Sequence, residues 1–239
     1  MSHDCKNIIV TGASRRLGLF LCEQFCAQGH HVFAITREPS EALQSLAGSA
    51  SLTVLSVASY SQHDIAGVIE KIHSSADRIH GIVHNASVFT KNKHFNAEQF
   101  QLFFDIHMAC PAQLNEGLRD LLFDESAPGV IVHMTDIYAE NPSKEHVLYC
   151  ASKAGLENMT KGFAKKFAPG VRVMSIQPGP IQFLGSHSEK EKQQVLAETL
   201  LDYEGGFLPV FQAINSIFDN AYLTGSCIKV DGGRALGGR

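Results

Sequence analysis

The chain lacks most of the features that would have declared a chemistry at once. Its six cysteines, Cys5, Cys22, Cys26, Cys110, Cys150 and Cys227, include no CxxC pair. Cys22 and Cys26 stand one helical turn apart among apolar residues, which reads as buried thiols rather than a metal or redox pair. Twelve histidines form neither an HExxH nor a compact His/Cys cluster, so no metal site is legible. No apolar run approaches the roughly 20 residues needed to cross a bilayer. Basic charge is not in excess either. With 20 Lys+Arg against 24 Asp+Glu, the net charge of −4 gives no reason to expect nucleic acid or an anionic membrane as partner. The start, Met1-Ser2-His3-Asp4-Cys5-Lys6, has no basic-then-apolar signal pattern, and a cytoplasmic protein is the expectation. Linkers, repeats and low-complexity tracts are missing too. The 239 residues therefore read as one domain, 1–239, long enough for a substantial core.

What is present is an alternation of short β-branched runs with longer amphipathic ones. Strands are expected at 7–11, 31–36, 52–57, 81–86, 130–136, 172–177 and 227–231, and helices at 17–28, 64–73, 97–122, 148–167 and 208–218. Gly29 is placed as a helix stop, and Asn96 with Gln99 reads as a capping box. Interleaved strands and helices predict an α/β fold: a Rossmann-like, doubly wound parallel sheet of seven strands with helices on both faces. In such sheets ligands bind beyond the carboxyl ends of the strands. The charged stretch 183–204 has two readings, a solvated helix or a lid over the ligand.

Thr11-Gly12-Ala13-Ser14-Arg15-Arg16-Leu17-Gly18 joins the first strand to the first helix. Gly12 permits a tight turn, Gly18 permits close approach, and the helix start offers N–H groups to a pyrophosphate. Arg16 replaces the middle glycine of the commoner dinucleotide pattern and adds positive charge. The second strand ends Ala34-Ile35-Thr36-Arg37-Glu38, where NAD-selective sites place a carboxylate first. Thr36 and Arg37 arrive instead, and an arginine fork suits a 2′-phosphate, so NADPH is the expected cofactor. Arg37 also reads as a solvated loop arginine.

Tyr149 and Lys153 are four apart on a predicted helix and share a face. Lys153 is expected to favour the phenolate, making Tyr149 a better acid or base near neutral pH. Thirteen residues upstream, Asp136 ends the apolar run Val130-Ile131-Val132-His133-Met134.

The glycine turn, Asn85-Ala86, the Tyr149/Lys153 pair, Pro178-Gly179 and Val230-Asp231-Gly232-Gly233 stand in an order that resembles the short-chain dehydrogenase/reductase superfamily over almost the whole chain. Within it the details are similar to the pteridine reductases, most closely their bacterial dihydromonapterin branch. Arg16 in the glycine turn, Ser87 after Asn85-Ala86, Asp136 in the usual serine position and His107 in the usual asparagine position carry this. Phe89 matches the aromatic residue that sandwiches a pterin against nicotinamide, although its residue type alone reads as core. Two departures stand out: 55–59 lacks the aspartate that commonly contacts adenine, and Phe183 replaces a threonine.

The resemblance implies NADPH-dependent reduction of 7,8-dihydromonapterin, or a related 7,8-dihydropterin and weakly dihydrofolate, to the tetrahydro form. It implies cofactor contacts from Gly12, Arg15, Arg16, Leu17, Gly18, Thr36, Arg37, Asn85, Ala86, Tyr149, Lys153, Pro178 and Gly179. Substrate contacts would come from Arg16, Ser87, Phe89, Asp136 and Tyr149, and the catalytic set would be Asp136, Tyr149 and Lys153. Asp136 needs a raised pKa to act as an acid; otherwise it orients water or Tyr149. His107 reads either as an anchor for water or backbone, or as an interior histidine. A homotetramer is implied as well. A carbonyl reductase acting on a 3-ketoacyl thioester is the alternative, disfavoured because a carboxylate at 136 would repel a developing oxyanion. A non-catalytic NADPH-binding sensor is a third reading.

Overall fold

All seven β-branched runs pair as expected. In the computed structural model, which describes residues 5–91, 94–183, 185 and 187–237, the strands are β1 Asn7–Thr11, β2 His31–Thr36, β3 Leu52–Ser56, β4 Gly81–His84, β5 Gly129–Met134, β6 Val171–Pro178 and β7 Cys227–Val230. They form one parallel sheet in the order β3-β2-β1-β4-β5-β6-β7. β4 and β5 are buried at every position, as expected of strands covered on both faces.

The helices are α1 Arg16–Ala27, α2 Glu41–Ser49, α3 Gln62–His73, α4 Ala97–Phe104, α5 Cys110–Gly117, α6 Arg119–Leu122, α7 Val147–Phe167, α8 Glu189–Ala197 and α9 Leu208–Asp219. Leu21 and Phe25 of α1 meet Phe211 and Ile214 of α9 in one apolar layer. Ile65 and Ile72 of α3, Leu114 of α5 and Phe167 of α7 fill the layer on the other face. Truncating a buried phenylalanine such as Phe25 to alanine would cost about 3–5 kcal/mol.

Three sequence expectations change. The helix expected at 97–122 is broken by a π turn at Asp105–Ala109 and again at Leu118. Pro111 has no N–H to return to the His107 carbonyl, and the preceding turn widens. The capping box at Asn96 is half formed: Asn96 accepts from the Gln99 N–H, but the Gln99 side chain donates to Thr90 and the Lys91 carbonyl instead. α2, opened by a Ser40 cap, lies in a stretch left without an element. Gly29 does end α1. Met1–Asp4 of the 1–6 segment read for a signal pattern lie outside the described residues, as do Leu184 and Ser186 of the 183–204 stretch. No helix among the described residues is long and apolar enough to cross a membrane.

The strand order reverses between β1 and β4, where such sheets open a crevice. Thr11 Oγ1 accepts from both the Asn85 and Ala86 N–H groups at 3.0 Å, fixing the two strand ends side by side. β5 stops at Met134, so Asp136 stands just beyond the sheet and caps the turn Ile137–Ala139.

Candidate active site

A cleft of about 960 Å³ opens over these strand ends. That is at the upper end of the usual range for ligand sites, about 300–1,000 Å³. Of the residues singled out in the sequence, Gly12, Arg15, Arg16, Leu17, Gly18, Thr36, Arg37, Asn85, Ala86, Ser87, Phe89, Asp136, Tyr149, Pro178 and Gly179 all line it. Lys153 does not; it lies buried, donating to the Met134 carbonyl at 2.7 Å.

The β1 end suits a phosphate-bearing ligand. A Cβ on Gly12 would come within 2.7 Å of Ala86 Cα, and one on Gly18 within 2.0 Å of the Gly12 carbonyl oxygen. Neither clash could be relieved without moving backbone. α1 begins here with no side-chain cap and no acidic residue in its first turn, which leaves its N–H groups and positive dipole end for an anion. Arg16 occupies the middle-glycine position in a left-handed conformation, φ +52, that costs a residue with a Cβ about 1–2 kcal/mol. Its guanidinium donates to the Gln182 carbonyl, 2.7 Å away, and lies over the Phe207 ring. Arg37 is exposed just beyond β2 and adds a second guanidinium to the lining of this end of the cleft.

The β4–β5 end carries the acid–base groups. Tyr149 donates to Asp136 Oδ2 at 2.7 Å, and Asp136 Oδ1 accepts from the Tyr138 N–H at 2.8 Å. Burial raises the Asp136 pKa despite those two donors. Burial first, and then the Asp136 carboxylate, push Tyr149 well above its ordinary range. Lys153, expected to favour the phenolate, has its Nζ 5.8 Å from the Tyr149 ring centroid. Burial lowers Lys153 itself to about 8, its ammonium is engaged by the Met134 carbonyl, and the nearer carboxylate dominates the phenol. Phe89 is not core: it is 54% exposed, stacked on His146 at 4.2 Å and edge-on to Tyr149 at 4.8 Å.

His107 lies beneath this group, with Nε2 2.9 Å from Ser87 Oγ and Nδ1 2.8 Å from Ser152 Oγ. Sequence reasoning left it outside the site set. Tyr60, Tyr138, His187, Phe207 and Arg234 also line the cleft and were missed. Arg234, paired with Glu198 at 2.8 Å, had one available signal, its place directly after Val230-Asp231-Gly232-Gly233.

A doubly wound sheet with a glycine turn after β1 and a tyrosine–lysine pair on α7 defines a short-chain dehydrogenase/reductase. The family profile described as short chain dehydrogenase matches residues 6–194, and the chain belongs to that family, whose members are oxidoreductases using a nicotinamide cofactor. The dihydromonapterin reductase of Klebsiella pneumoniae subsp. pneumoniae is 36% identical over 233 residues, spanning 96% of each chain. That of Enterobacter sp. is 33% identical over 232 residues, again 96% of each. Among solved structures, FolM alternative dihydrofolate reductase 1 from Brucella suis in complex with NADP superposes with a TM-score of 0.88, covering 99% of this chain and 97% of that one. At 23% identity this is a likeness of fold.

Proposed function

We propose that the chain reduces a 7,8-dihydropterin, 7,8-dihydromonapterin first among them, to the tetrahydropterin with NADPH. The observation that carries this is the 2.7 Å bond between Tyr149 and the buried Asp136, facing the exposed ring of Phe89 in one cleft. A flat heterocycle stacks on Phe89 with its reducible C=N bond toward that pair. NADPH supplies the hydride. Gly12, Arg15, Arg16, Leu17 and Gly18 would hold its pyrophosphate, Thr36 and Arg37 its 2′-phosphate, and Asn85, Ala86, Tyr149, Lys153, Pro178 and Gly179 its nicotinamide half.

The chain's own contribution is the proton. Tyr149 and Asp136 both hold protons more tightly than in water, and they act as one acid unit: the phenol turns its proton from Asp136 Oδ2 to the pterin N5, and Asp136, in its protonated form, passes its own to the phenol oxygen and is left as the carboxylate. Support also comes from full-length relatives named dihydromonapterin reductase and, for the cofactor, from the NADP held by the Brucella suis structure. α8, a surface helix with no buried residue, serves as the lid in this reading. Apolar Phe100 and Phe104, exposed on α4, suit a face covered in a homotetramer.

The test is NADPH oxidation by the purified protein with dihydromonapterin, dihydrobiopterin, dihydrofolate and acetoacetyl thioesters. Turnover of the dihydropterins with dihydromonapterin preferred is expected. Turnover of the thioester alone would sink the reading. Replacing Arg37 with Asp should lower the NADPH-to-NADH preference; an unchanged ratio moves cofactor choice elsewhere, with Arg15 the next candidate.

A further inference from the structure

Phe89 lies in the loop after β4, outside any helix or strand. A phenylalanine half exposed on a loop turns about its side-chain bonds, and a ligand that stacks on it must first stop that motion. One neighbour already stops it. The His146 ring lies against Phe89 at 4.2 Å between centroids and 13° between planes. His146 is 8% exposed and, unlike Phe89, Tyr138 and Tyr149, is not among the residues that line the cleft. It therefore backs Phe89 from the side away from the cleft and leaves the exposed remainder of that ring to a ligand.

His146 is itself fixed. It stands at the N-cap position of α7, its N–H donating to the Ser143 carbonyl at 3.1 Å and its carbonyl accepting from the Cys150 N–H at 2.9 Å. Its Nδ1 lies 3.2 Å from Ser143 Oγ. Burial and then Lys91 lower its pKa, against opposing pulls from Glu145 and Asp136, so near neutral pH it stacks as an uncharged imidazole. A Lys91–Glu145 ion pair at 2.6 Å ties the same two loops, but both side chains are exposed and the pair holds little. The ring stack is the stronger tie.

Three parts of the cleft meet at this imidazole. Phe89 comes from the β4 loop. Tyr138, 6.5 Å away and 12° from parallel, comes from the turn that Asp136 caps. Tyr149 follows three residues later on α7 and stands at 82° to Phe89. Stacking ring and acid pair are thereby held in one frame.

We propose that His146 is a positioning residue: its imidazole backs Phe89 and presents that ring, already oriented, to a flat heterocycle beside Tyr149 and Asp136. The inference rests on the pterin reading of the same cleft and adds the residue that sets the stacking plane. What the position requires is a flat ring; the imidazole nitrogens anchor it and take no part in proton transfer.

The test uses the full-length protein with NADPH and dihydromonapterin. His146→Phe keeps a flat ring, His146→Leu fills the space without one, and His146→Asn keeps a polar atom near Ser143. The Leu and Asn variants should raise KM about three- to tenfold, the loss of one aromatic pair, with kcat held within about twofold. His146→Phe should restore KM. In a Phe89→Ala background His146→Leu should add nothing; an additive rise would mean that His146 acts elsewhere. Rescue by Asn and not by Phe would assign the effect to Ser143 and overturn the proposal, as would an equal KM in all variants. A second readout is independent of the substrate. In protein labelled with ¹³C-phenylalanine, the Phe89 signals, assigned by their loss in Phe89→Leu, should shift in His146→Leu and return toward their original position in His146→Phe. Unmoved signals overturn the positioning role whatever the substrate. If they move as expected and no dihydropterin is turned over, the pterin reading fails and the held ring stands.

Discussion

Helix α7 carries two buried polar chains that differ chiefly in where they end. Near its start, Ser152 Oγ lies 2.8 Å from His107 Nδ1, and His107 Nε2 lies 2.9 Å from Ser87 Oγ in the open cleft. Near its middle, Thr160 Oγ1 lies 2.8 Å from His133 Nδ1, His133 Nε2 accepts from Asn115, and the Asn115 carbonyl faces His84 Nε2 at 2.8 Å. The second chain stops there, with His84 Nδ1 buried and without a partner among the described residues. Both chains contain a histidine whose pKa burial drives well down. They differ because one opens on the cleft at Ser87 and the other only fastens β4 and β5 to α5 and α7. A perturbed buried histidine is thus no sign of function by itself; access to the cleft is.

The sharpest way to break this contrast is to remove the acid group that stands in the cleft above the open chain. Tyr149→Phe should lower kcat about a thousandfold, within the usual range for a lost general acid, while NADPH binding measured by fluorescence titration persists. Thr160→Val, which interrupts the closed chain, should leave kcat unchanged. A comparable kcat loss from both would erase the distinction between site and scaffold.

Asp136→Asn should lower turnover less, about tenfold to a hundredfold, because the phenol keeps a neighbour but loses its proton reserve. The pH profile gives the sign. A carboxyl acting as acid works below its raised pKa, so the rate should fall as pH climbs through that value. The asparagine variant should lose this limb. An unaltered profile would remove Asp136 from the proton path.

The two chains were unequally legible in the sequence. Tyr149 and Asp136 were singled out by helical spacing and a strand end, which do put both in one cleft, with Lys153 buried beneath it. The glycine turn was legible from its place between the first strand and the first helix, and Gly12 and Gly18 do sit where a Cβ cannot fit. The fold was legible for the same reason: strands buried on both faces are unbroken apolar runs. Phe89 was ambiguous because residue type does not encode exposure. The His107 network was hidden because its partners are 20 and 45 residues away and meet only through the π turn. The Lys153 bond to the Met134 carbonyl was not legible, because spacing shows that charges are near but not which carbonyl holds the ammonium.

Breaking the closed chain should cost stability rather than rate. Asn115→Leu leaves both His84 Nε2 and His133 Nε2 without their partner. Unsatisfied buried groups cost about 1–3 kcal/mol each, so urea denaturation should register a loss of that order with KM unchanged. A stable variant with a raised KM would mean that Asn115 communicates with the cleft.

The smallest effect probes what the histidines share. Each is neutral when folded and has an ordinary pKa of 6.5 when unfolded; burial lowers His84 to about 4 and holds His107 and His133 well below the ordinary value. Below pH 6.5 the unfolded chain binds the extra protons, so the stabilisation present above 6.5 is lost as pH falls toward the folded-state values. Between pH 7.5 and 5.5 each such group removes about 1.4 kcal/mol. His133→Asn should therefore flatten the pH dependence of stability by about that amount and leave KM for dihydromonapterin where it was. His107→Asn should flatten it equally and raise KM. The two variants are alike as titrating groups and unlike as neighbours of Ser87. If His133→Asn moved KM as far as His107→Asn does, the chains would be one network and the open end would lose its special standing.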